Sequence, residues 1–208
     1  MAGSFSNPFV VLEGIDLSGK TTMANLLAHS FDAELLKSPP SPFESIKQSV
    51  LEEAAPLARL YYFLASDIQI SKMASEILAR KRVICDRYLW STLAYHSAIE
   101  NIPPQYLVDF AKPLLRSLLM PDLVIYLKVN RESQLSRAKK RADDRFQHDL
   151  LLSDKFQQIL NESYEQTKIL VEIPWLEIDT SNVSVSESLQ EIVAGIRSKL
   201  GQKLPISK

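Results

Sequence analysis

The residues with the clearest chemical signature lie between Gly14 and Thr21. They match the pattern G-x-x-x-x-G-K-[ST], in which a glycine-rich loop surrounds the phosphates of a nucleotide. The backbone N–H groups of such a loop point at phosphate oxygens, its lysine reaches the β- and γ-phosphates, and the next hydroxyl holds Mg²⁺. Lys20 and Thr21 occupy those two positions here. The competing interpretation is a tight turn between a strand and a helix with an incidental lysine.

A second chemical group, Asp86-Arg87-Tyr88, directly follows a short apolar segment. A carboxylate at that place can hold Mg²⁺ through water, and a guanidinium can bind a phosphate as a bidentate fork. The tripeptide alone leaves a structural interpretation open, in which Asp86 caps the next helix and Arg87 pairs with it.

A third segment is rich in cations, five of which lie within nine residues: Arg137, Lys139, Lys140, Arg141 and Arg145. Such a run is usually a solvated helix face. In a domain that binds a polyphosphate it can also form a lid that stabilises charge on the γ-phosphoryl group and excludes water. We therefore expect a short mobile lid at about residues 137–150. Lys37 is a separate cation, placed where an acceptor should bind.

Five short apolar segments must position these groups, namely residues 9–12, 33–36, 83–85, 123–127 and 175–178. They alternate with stretches of helical periodicity, such as residues 20–31, which predicts a parallel sheet with helices on both faces. Prolines within residues 38–42 break the chain after the second strand. Ligands bind at the carboxyl edge of such sheets. The expected fold is therefore α/β, a single P-loop NTPase domain over residues 1–208 with three α/β/α layers and a five-stranded parallel sheet.

The composition fits one ordinary globular domain of 208 residues, with 46% hydrophobic and 24% charged residues. A formal net charge of −1 gives no electrostatic reason to expect a nucleic acid or a membrane as partner. Cys85 is the single cysteine, which excludes an intrachain disulfide and fits a reducing cytosol. The sequence contains no apolar run of about eighteen residues and no basic-then-apolar leader, so we expect a cytoplasmic protein.

Three motifs, in this order, resemble those of the thymidylate kinases. Residues 11–22 resemble the family's Leu-Glu-Gly and its Asp-containing loop, residues 83–95 its Asp-Arg-Tyr motif and following helix, and residues 121–127 its Pro-Asp-Leu strand. The resemblance implies transfer of the ATP γ-phosphoryl group to a nucleoside monophosphate, by default dTMP or a related deoxynucleoside monophosphate, with Mg²⁺ required. The family often dimerises through helices of this fold, and the apolar residues 57–64 and 114–120 are the candidate surfaces for a homodimer.

The resemblance also implies roles for individual residues. Lys20 would neutralise the β- and γ-phosphates, Thr21 would ligate Mg²⁺, and Asp16 would contact the acceptor sugar. Asp86 and Arg87 would organise Mg²⁺ and the acceptor phosphate. The residues expected to contact ATP are Gly14, Ile15, Asp16, Leu17, Ser18, Gly19, Lys20, Thr21, Thr22 and Arg137. Those expected to contact the acceptor are Lys37, Leu64, Asp67, Arg87, Ser91 and Tyr95.

The transition-state arginine of this family stands either in the loop or in the lid. Position 17 is leucine here, so we expect the lid form, with Arg145 as the first candidate and Arg141 and Arg137 behind it. A conventional base is not expected, because a phosphate acceptor is already an anion and catalysis is mostly alignment and charge stabilisation.

The acceptor pocket departs from the family pattern. Lys37 stands where many members have the arginine of an Arg-x-Pro motif, which keeps the charge but loses the planar fork. The family's base-stacking aromatic falls at Leu64, and its arginine falls at Ile68. Tyr62 or Phe63 could replace the aromatic only on a slightly rotated helix. The identity of the acceptor therefore stays open.

Two other functions remain open at this stage. A kinase of an unphosphorylated nucleoside or another small alcohol would need a base near the acceptor hydroxyl, for which Asp67 and Asp86 are candidates and Glu34 is poorly placed. A nucleotide-binding protein without catalysis is the other. Retention of Lys20, Thr21, Asp86 and Arg145 argues against it, because binding alone does not require the whole set.

Overall fold

One parallel sheet organises the molecule, whose computed structural model describes residues 7–141, 153–170 and 172–201. Its strands are β1 (Phe9–Glu13), β2 (Ala33–Lys37), β3 (Arg82–Asp86), β4 (Leu123–Lys128) and β5 (Trp175–Asp179). They lie side by side in the order β2-β3-β1-β4-β5. The five-stranded parallel sheet that the apolar segments predict is therefore confirmed.

Helices connect and cover these strands within the described ranges. They are α1 (Lys20–Ser30), α2 (Lys47–Glu53), α3 (Pro56–Leu78), α4 (Leu89–Glu100), α5 (Pro104–Leu115), α6 (Arg131–Arg141), α7 (Asp154–Leu170) and α8 (Val185–Leu200). A 3₁₀ turn, Phe43–Ile46, precedes α2. The start of α8 carries a capping box, in which Ser184 and Glu187 satisfy each other's backbone N–H groups.

Two apolar clusters, one on each face of the sheet, hold the layers together. One joins the sheet to α3, α4, α5 and α7 and contains Trp90, Leu93 and Leu160. The other joins it to α1 and α8 and contains Leu27 and Ile192. Each face of the sheet thus has its own core, which confirms the three-layer α/β/α arrangement.

Every strand extends one residue beyond the apolar segment that predicts it, at its carboxyl end. The added residues are Glu13, Lys37, Asp86, Lys128 and Asp179. An apolar criterion stops at the last apolar side chain, although strand pairing continues, as between Lys37 and Asp86. These five charged residues therefore lie along one edge of the sheet, which is where the candidate site is found.

The segment expected to form a lid, residues 137–150, begins inside α6, which continues to Arg141. Residues 142–150 lie outside the described residues. None of the helices in the described part of the chain combines the length and apolar character needed to cross a bilayer.

Candidate active site

Three backbone carbonyl groups of the loop between β1 and α1 accept hydrogen bonds from side chains that lie later in the chain. The Gln134 side chain donates to the carbonyl of Asp16 at 3.1 Å, and Arg137 donates to that of Leu17 at 2.9 Å. The hydroxyl of Thr180 donates to the carbonyl of Ser18 at 3.0 Å. With these carbonyl groups satisfied, the loop can turn its N–H groups toward an anion, although that of Ser18 donates to the carbonyl of Ile15 at 3.3 Å.

Both loop glycines are required by the backbone. Gly14 has a φ of 141°, and a Cβ there would collide with the carbonyl oxygen of Leu127. Gly19 has a φ of 95° at the start of α1, in the region where a side chain causes strain. The loop can therefore pass close to β4 and turn directly into the helix.

Lys20 lies inside the loop, only 5% exposed. Its Nζ atom donates to the carbonyl of Ile15 at 2.6 Å. Burial lowers the pKa of Lys20 to about 7, with a further lowering by Arg87, against the opposing effect of Asp16, Asp86 and Glu13. A bound polyphosphate would supply the missing negative charge and restore the full lysine cation.

Thr21 and Asp86 meet at the carboxyl edge, as a magnesium site would require. The Thr21 hydroxyl donates to Oδ2 of Asp86 at 2.6 Å. Oδ1 of Asp86 is buried without a hydrogen-bond partner among the described residues. A hydroxyl beside an unsatisfied carboxylate oxygen fits Mg²⁺, which is usually held by one or two carboxylates together with substrate phosphates and water. In the part of the chain that the structure describes, no group of three or more His, Cys, Asp or Glu side chains could hold a metal ion without a substrate.

Arg87 is fixed by three side chains. It forms an ion pair with Asp16, donates to the hydroxyl of Ser91 at 3.1 Å and donates to Tyr95 at 3.3 Å. Its guanidinium also lies 4.9 Å from the centre of the Tyr95 ring. Burial alone would raise the pKa of Asp16, but the charges of Arg87 and Lys20 outweigh it and lower that pKa. Arg87 thus pairs with Asp16, not with Asp86 as the purely structural interpretation has it.

A cavity of about 140 Å³ collects most of these groups. Its lining is Asp16, Leu17, Gly19, Lys20, Thr21, Lys37, Ser38, Lys47, Asp86 and Arg87. Four of these side chains are cationic and two are carboxylates. The excess of positive charge in a small space favours an anionic ligand.

Lys47, at the start of α2, is a site residue that the sequence analysis misses. Burial lowers the pKa of Lys47, and repulsion by Arg87 and Lys37 adds to the effect. Its surroundings in the sequence indicate only a solvated helix, so no local signal identifies it. Its place in the cavity depends on how the proline-rich residues 38–42 turn the chain.

A second cavity, of about 320 Å³, lies on the other side of the loop. Its lining is Leu17, Ser18, Gly19, Thr22, Met23, Arg137, Lys140, Thr180, Val183, Val185 and Ser188. It shares Leu17 and Gly19 with the first cavity, so the loop separates the two. Thr22 and Arg137 belong to this second cavity.

Four residues expected at the acceptor line neither cavity, namely Leu64, Asp67, Ser91 and Tyr95, although Ser91 and Tyr95 both contact Arg87. Leu64 is 2% exposed and packs in the core on the α3 side of the sheet. Asp67 is fully buried, accepts a hydrogen bond from Thr92 at 2.8 Å, and has its pKa raised by burial. Ile68, on the next position, is 41% exposed. The structure therefore brings together Lys37, Arg87, Ser91 and Tyr95, but not Leu64 or Asp67.

The candidates for the transition-state arginine are described only in part. Arg137 donates to the loop and to the hydroxyl and carbonyl of Thr180. These bonds fix α6 against the back of the loop. Arg145 and the side chain of Arg141 lie outside the described residues, and their roles stay predictions.

Comparison with known proteins agrees with this geometry. The thymidylate kinase family model matches residues 12–192. A probable thymidylate kinase from Methanocaldococcus jannaschii is 32% identical over 198 residues, covering 92% of this chain and 97% of that protein. UMP-CMP kinase 2, mitochondrial, from Homo sapiens is 31% identical over 200 residues, covering 93% of this chain and 43% of that protein.

Among solved structures, thymidylate kinase from Candida albicans has a TM-score of 0.72 at 19% identity and covers 97% of this chain and 98% of its own. At that level of identity the likeness shows a shared fold. The match of the family to most of the chain, together with full-length relatives above 30% identity, shows more. The chain belongs to the thymidylate kinase family.

Proposed function

We propose that this chain transfers the γ-phosphoryl group of ATP to the phosphate of a pyrimidine nucleoside monophosphate, with dTMP as the reference acceptor. As a member of its family it is an ATP-dependent phosphotransferase. The observation that carries the proposal is the small cavity that joins Lys20, the Thr21–Asp86 pair and the Arg87–Asp16 pair in front of the loop.

The second cavity is the proposed position of the donor nucleoside. It begins at the loop and is bounded by apolar residues such as Met23, Val183 and Val185. ATP lying across the loop would place its base there and its γ-phosphate in the first cavity. Arg137 and Lys140 would border the donor from α6, and Arg145 stays the proposed transition-state arginine.

The acceptor phosphate is assigned to the cations of the first cavity. Lys37, Lys47 and Arg87 come from three different elements and meet opposite the loop. Together they can replace the single planar fork of the Arg-x-Pro motif with point charges. Asp16, held by Arg87, is the proposed contact of the acceptor sugar.

Alignment and charge stabilisation carry the reaction in this site. Lys20 and the loop N–H groups would neutralise the β- and γ-phosphates, and the cations opposite would hold the attacking phosphate in line. Thr21 and Asp86 are the residues proposed to hold Mg²⁺, which would neutralise charge on the phosphates. Magnesium dependence is therefore part of the proposal.

UMP or CMP is a second candidate for the acceptor. Two observations favour it. The chain is 31% identical to human UMP-CMP kinase 2, and it has Leu64 and Ile68 where the family pattern has a base-stacking aromatic residue and an arginine. Aromatic side chains are still close by, because Tyr62 contacts Phe63 and Phe43 edge to face, with ring centres 4.9 and 5.9 Å away. The base pocket thus differs from the family pattern without being purely aliphatic.

Steady-state kinetics with ATP and Mg²⁺ against dTMP, dCMP, UMP, CMP, AMP and thymidine test the proposal. We expect turnover with at least one pyrimidine monophosphate and none with thymidine. Turnover of thymidine alone would favour the kinase of an unphosphorylated nucleoside, and no turnover with any monophosphate would contradict the proposed function. Lys20→Ala serves as the control for a contaminating kinase.

A homodimer is proposed on the surface of α3 and α5. Tyr61 and Phe110 stack edge to face with ring centres 5.5 Å apart, although they are 52% and 42% exposed. Leu57 and Tyr106 extend this apolar surface. Light scattering after size-exclusion chromatography would test it, with Tyr61→Glu expected to give monomers. A cytoplasmic location remains a prediction.

A further inference from the structure

Glu13 is a buried carboxyl group that lines neither cavity, and its one effect on the site described so far is on the pKa of Lys20. It ends β1, directly before the loop, and is 0% exposed. Oε1 accepts hydrogen bonds from the backbone N–H groups of Tyr88 at 2.9 Å and Ser91 at 3.2 Å. Oε2 accepts one from the hydroxyl of Ser91 and lies 3.3 Å from that of Tyr164. Both carboxylate oxygens therefore accept hydrogen bonds from buried groups of the protein.

The two backbone contacts make Glu13 the cap of α4. Tyr88 is the N-cap residue of this helix, and no side chain of the helix itself supplies the capping bond. A helix needs partners for its first N–H groups, and a carboxylate is well suited to this position. Here the partner comes from a strand 75 residues earlier in the chain. The start of α4 is thus fixed to the residue that precedes the phosphate-binding loop.

The second oxygen connects the same carboxyl group to Arg87. The hydroxyl of Ser91 donates to Glu13 and accepts from Nη1 of Arg87 at 3.1 Å, and Arg87 pairs with Asp16. The Tyr164 hydroxyl lies 2.9 Å from that of Ser91 and 3.2 Å from the carbonyl of Gly14. A continuous path of polar contacts therefore runs from Glu13 to the acceptor side of the cavity.

Arg87 needs such support because its backbone is unfavourable. Its φ of 72° lies in the left-handed region, which a residue with a long side chain adopts only when its surroundings impose it. Its N–H group donates to the carbonyl of Leu12 at 3.0 Å, beside Glu13. The backbone of Arg87 is thus held by β1 and its side chain by Ser91.

We infer that Glu13 is a positioning residue for the acceptor, which it serves by fixing the start of α4 and, through Ser91, the guanidinium of Arg87. This inference rests on the proposed function, because it assigns Arg87 to the acceptor phosphate. It predicts a split between the two substrates. Loss of the Glu13 charge should weaken binding of the nucleoside monophosphate more than that of ATP, because Lys20 and Thr21 make no hydrogen bond to Glu13 and Lys20 is affected by it only through its charge.

Glu13→Gln is the first test, with Glu187→Gln as the matched control. Glu187 also serves a helix start, where its side chain accepts from the N–H group of Ser184, but it is exposed and lies outside both cavities. For Glu13→Gln we expect the KM of the acceptor to rise about tenfold, the size expected when one charge-assisted hydrogen bond is lost, and the KM of ATP to change less than about threefold. Glu187→Gln should change neither constant.

Tyr164→Phe provides a second test in case Glu13→Gln does not fold. It removes one hydroxyl group from the network and keeps the ring, which packs in the core. We expect a rise of about threefold in the acceptor KM, in line with a neutral hydrogen bond. An unchanged acceptor KM in the folded variants, or a parallel rise in both KM values, would overturn the inference.

A crystal structure of Glu13→Gln separates this inference from the proposed function. We expect Arg87 to leave Asp16 or the start of α4 to shift, whichever acceptor the enzyme uses. An unmoved Arg87 and α4 would contradict the positioning role. Failure of the wild-type chain to phosphorylate any monophosphate would instead contradict the proposed function and leave the structural result standing.

Discussion

The proposed donor side and the proposed acceptor side of the candidate site are built in different ways. The donor side takes its chemistry from consecutive residues, because Gly19, Lys20 and Thr21 follow one another from the loop into α1. The acceptor side takes Lys37, Lys47 and Arg87 from the end of β2, the start of α2 and the turn after β3. A local motif can specify the first arrangement, whereas the second exists only in the folded chain. The donor side should therefore fail at single positions and the acceptor side in graded steps.

Lys20→Ala should give the largest effect and breaks the donor side. We expect turnover to fall about 10³-fold, the range seen when a preorganised charge contact to the transition state is removed. Loss of a buried cation whose pKa is already lowered should leave the fold intact. Steady-state kinetics and circular dichroism of the purified variant would check this. Turnover near the wild-type rate would contradict the assignment and favour a different phosphate contact.

The free energy of unfolding should depend on pH because Glu13, which connects the loop to Arg87, is buried. Burial raises the pKa of Glu13 to about 7 from a normal 4.5, against the opposing effects of Ser91, Arg87 and Tyr88. Protons therefore bind the native state more tightly, so the stabilising contribution is complete below pH 4.5 and is lost as the pH rises through 7. Relative to Glu13→Gln, the free energy of unfolding should fall by about 3 kcal/mol across this window.

Urea unfolding at several pH values would measure this difference. Six other ionisable groups interact with Glu13 and remain in both proteins, namely Arg87, Asp67, Lys20, Tyr164, Cys85 and Tyr126. Glu187→Gln is again the control, because the pKa of Glu187 is lowered and its titration lies below the window. Stability curves of wild type and Glu13→Gln that run parallel from pH 4.5 to 7 would show that the carboxyl group does not titrate there.

Lys47→Ala tests the graded acceptor side. We expect the KM of the nucleoside monophosphate to rise about tenfold, because one of three cations facing its phosphate is lost, with little change for ATP. Lys72→Ala is the control, since Lys72 is 68% exposed on α3 and pairs only loosely with Glu76 at 4.0 Å. An equal effect of both changes would reduce the role of Lys47 to general surface charge.

Arg137→Lys should give the smallest effect and sharpens the comparison at the back of the loop. Lysine keeps the charge but cannot reproduce the fork that contacts both Leu17 and Thr180. We expect the KM of ATP to rise about threefold, because lysine keeps the charge and loses only part of the contacts, with the acceptor KM unchanged. Arg197→Lys on the exposed face of α8 is the matched control. A larger rise in the acceptor KM than in the ATP KM would contradict the assignment of Arg137 to the donor side.

Most of the fold follows from the sequence because each strand is a short apolar run between helical stretches. The loop and Asp86 also follow, since their order relative to the strands places them at one edge. Lys47 does not follow, because its position depends on the path of the chain through residues 38–46, which no local periodicity specifies. Leu64 and Asp67 were expected at the acceptor from the resemblance alone, and only their burial shows that they face the interior.

Glu13 shows a different kind of gap. Its place in the Leu-Glu-Gly motif is visible in the sequence, but its partners Tyr88, Ser91 and Tyr164 lie 75, 78 and 151 residues away. Hydrogen bonds of this range leave no periodic trace. The one local sign is a charged residue at the end of a fully buried strand, because a buried carboxyl group needs polar partners.

The tethers behind the loop have a consequence for transplanting it into other proteins. Gln134 and Thr180 reach its carbonyl groups from 118 and 162 residues further along the chain. The eight residues from Gly14 to Thr21, grafted onto a scaffold that lacks these partners, would keep the motif but not the backbone orientation. We therefore expect phosphate affinity to depend on the fold of the chain well beyond the loop. A chain that ends before β5 should keep the loop motif but lose affinity for phosphate.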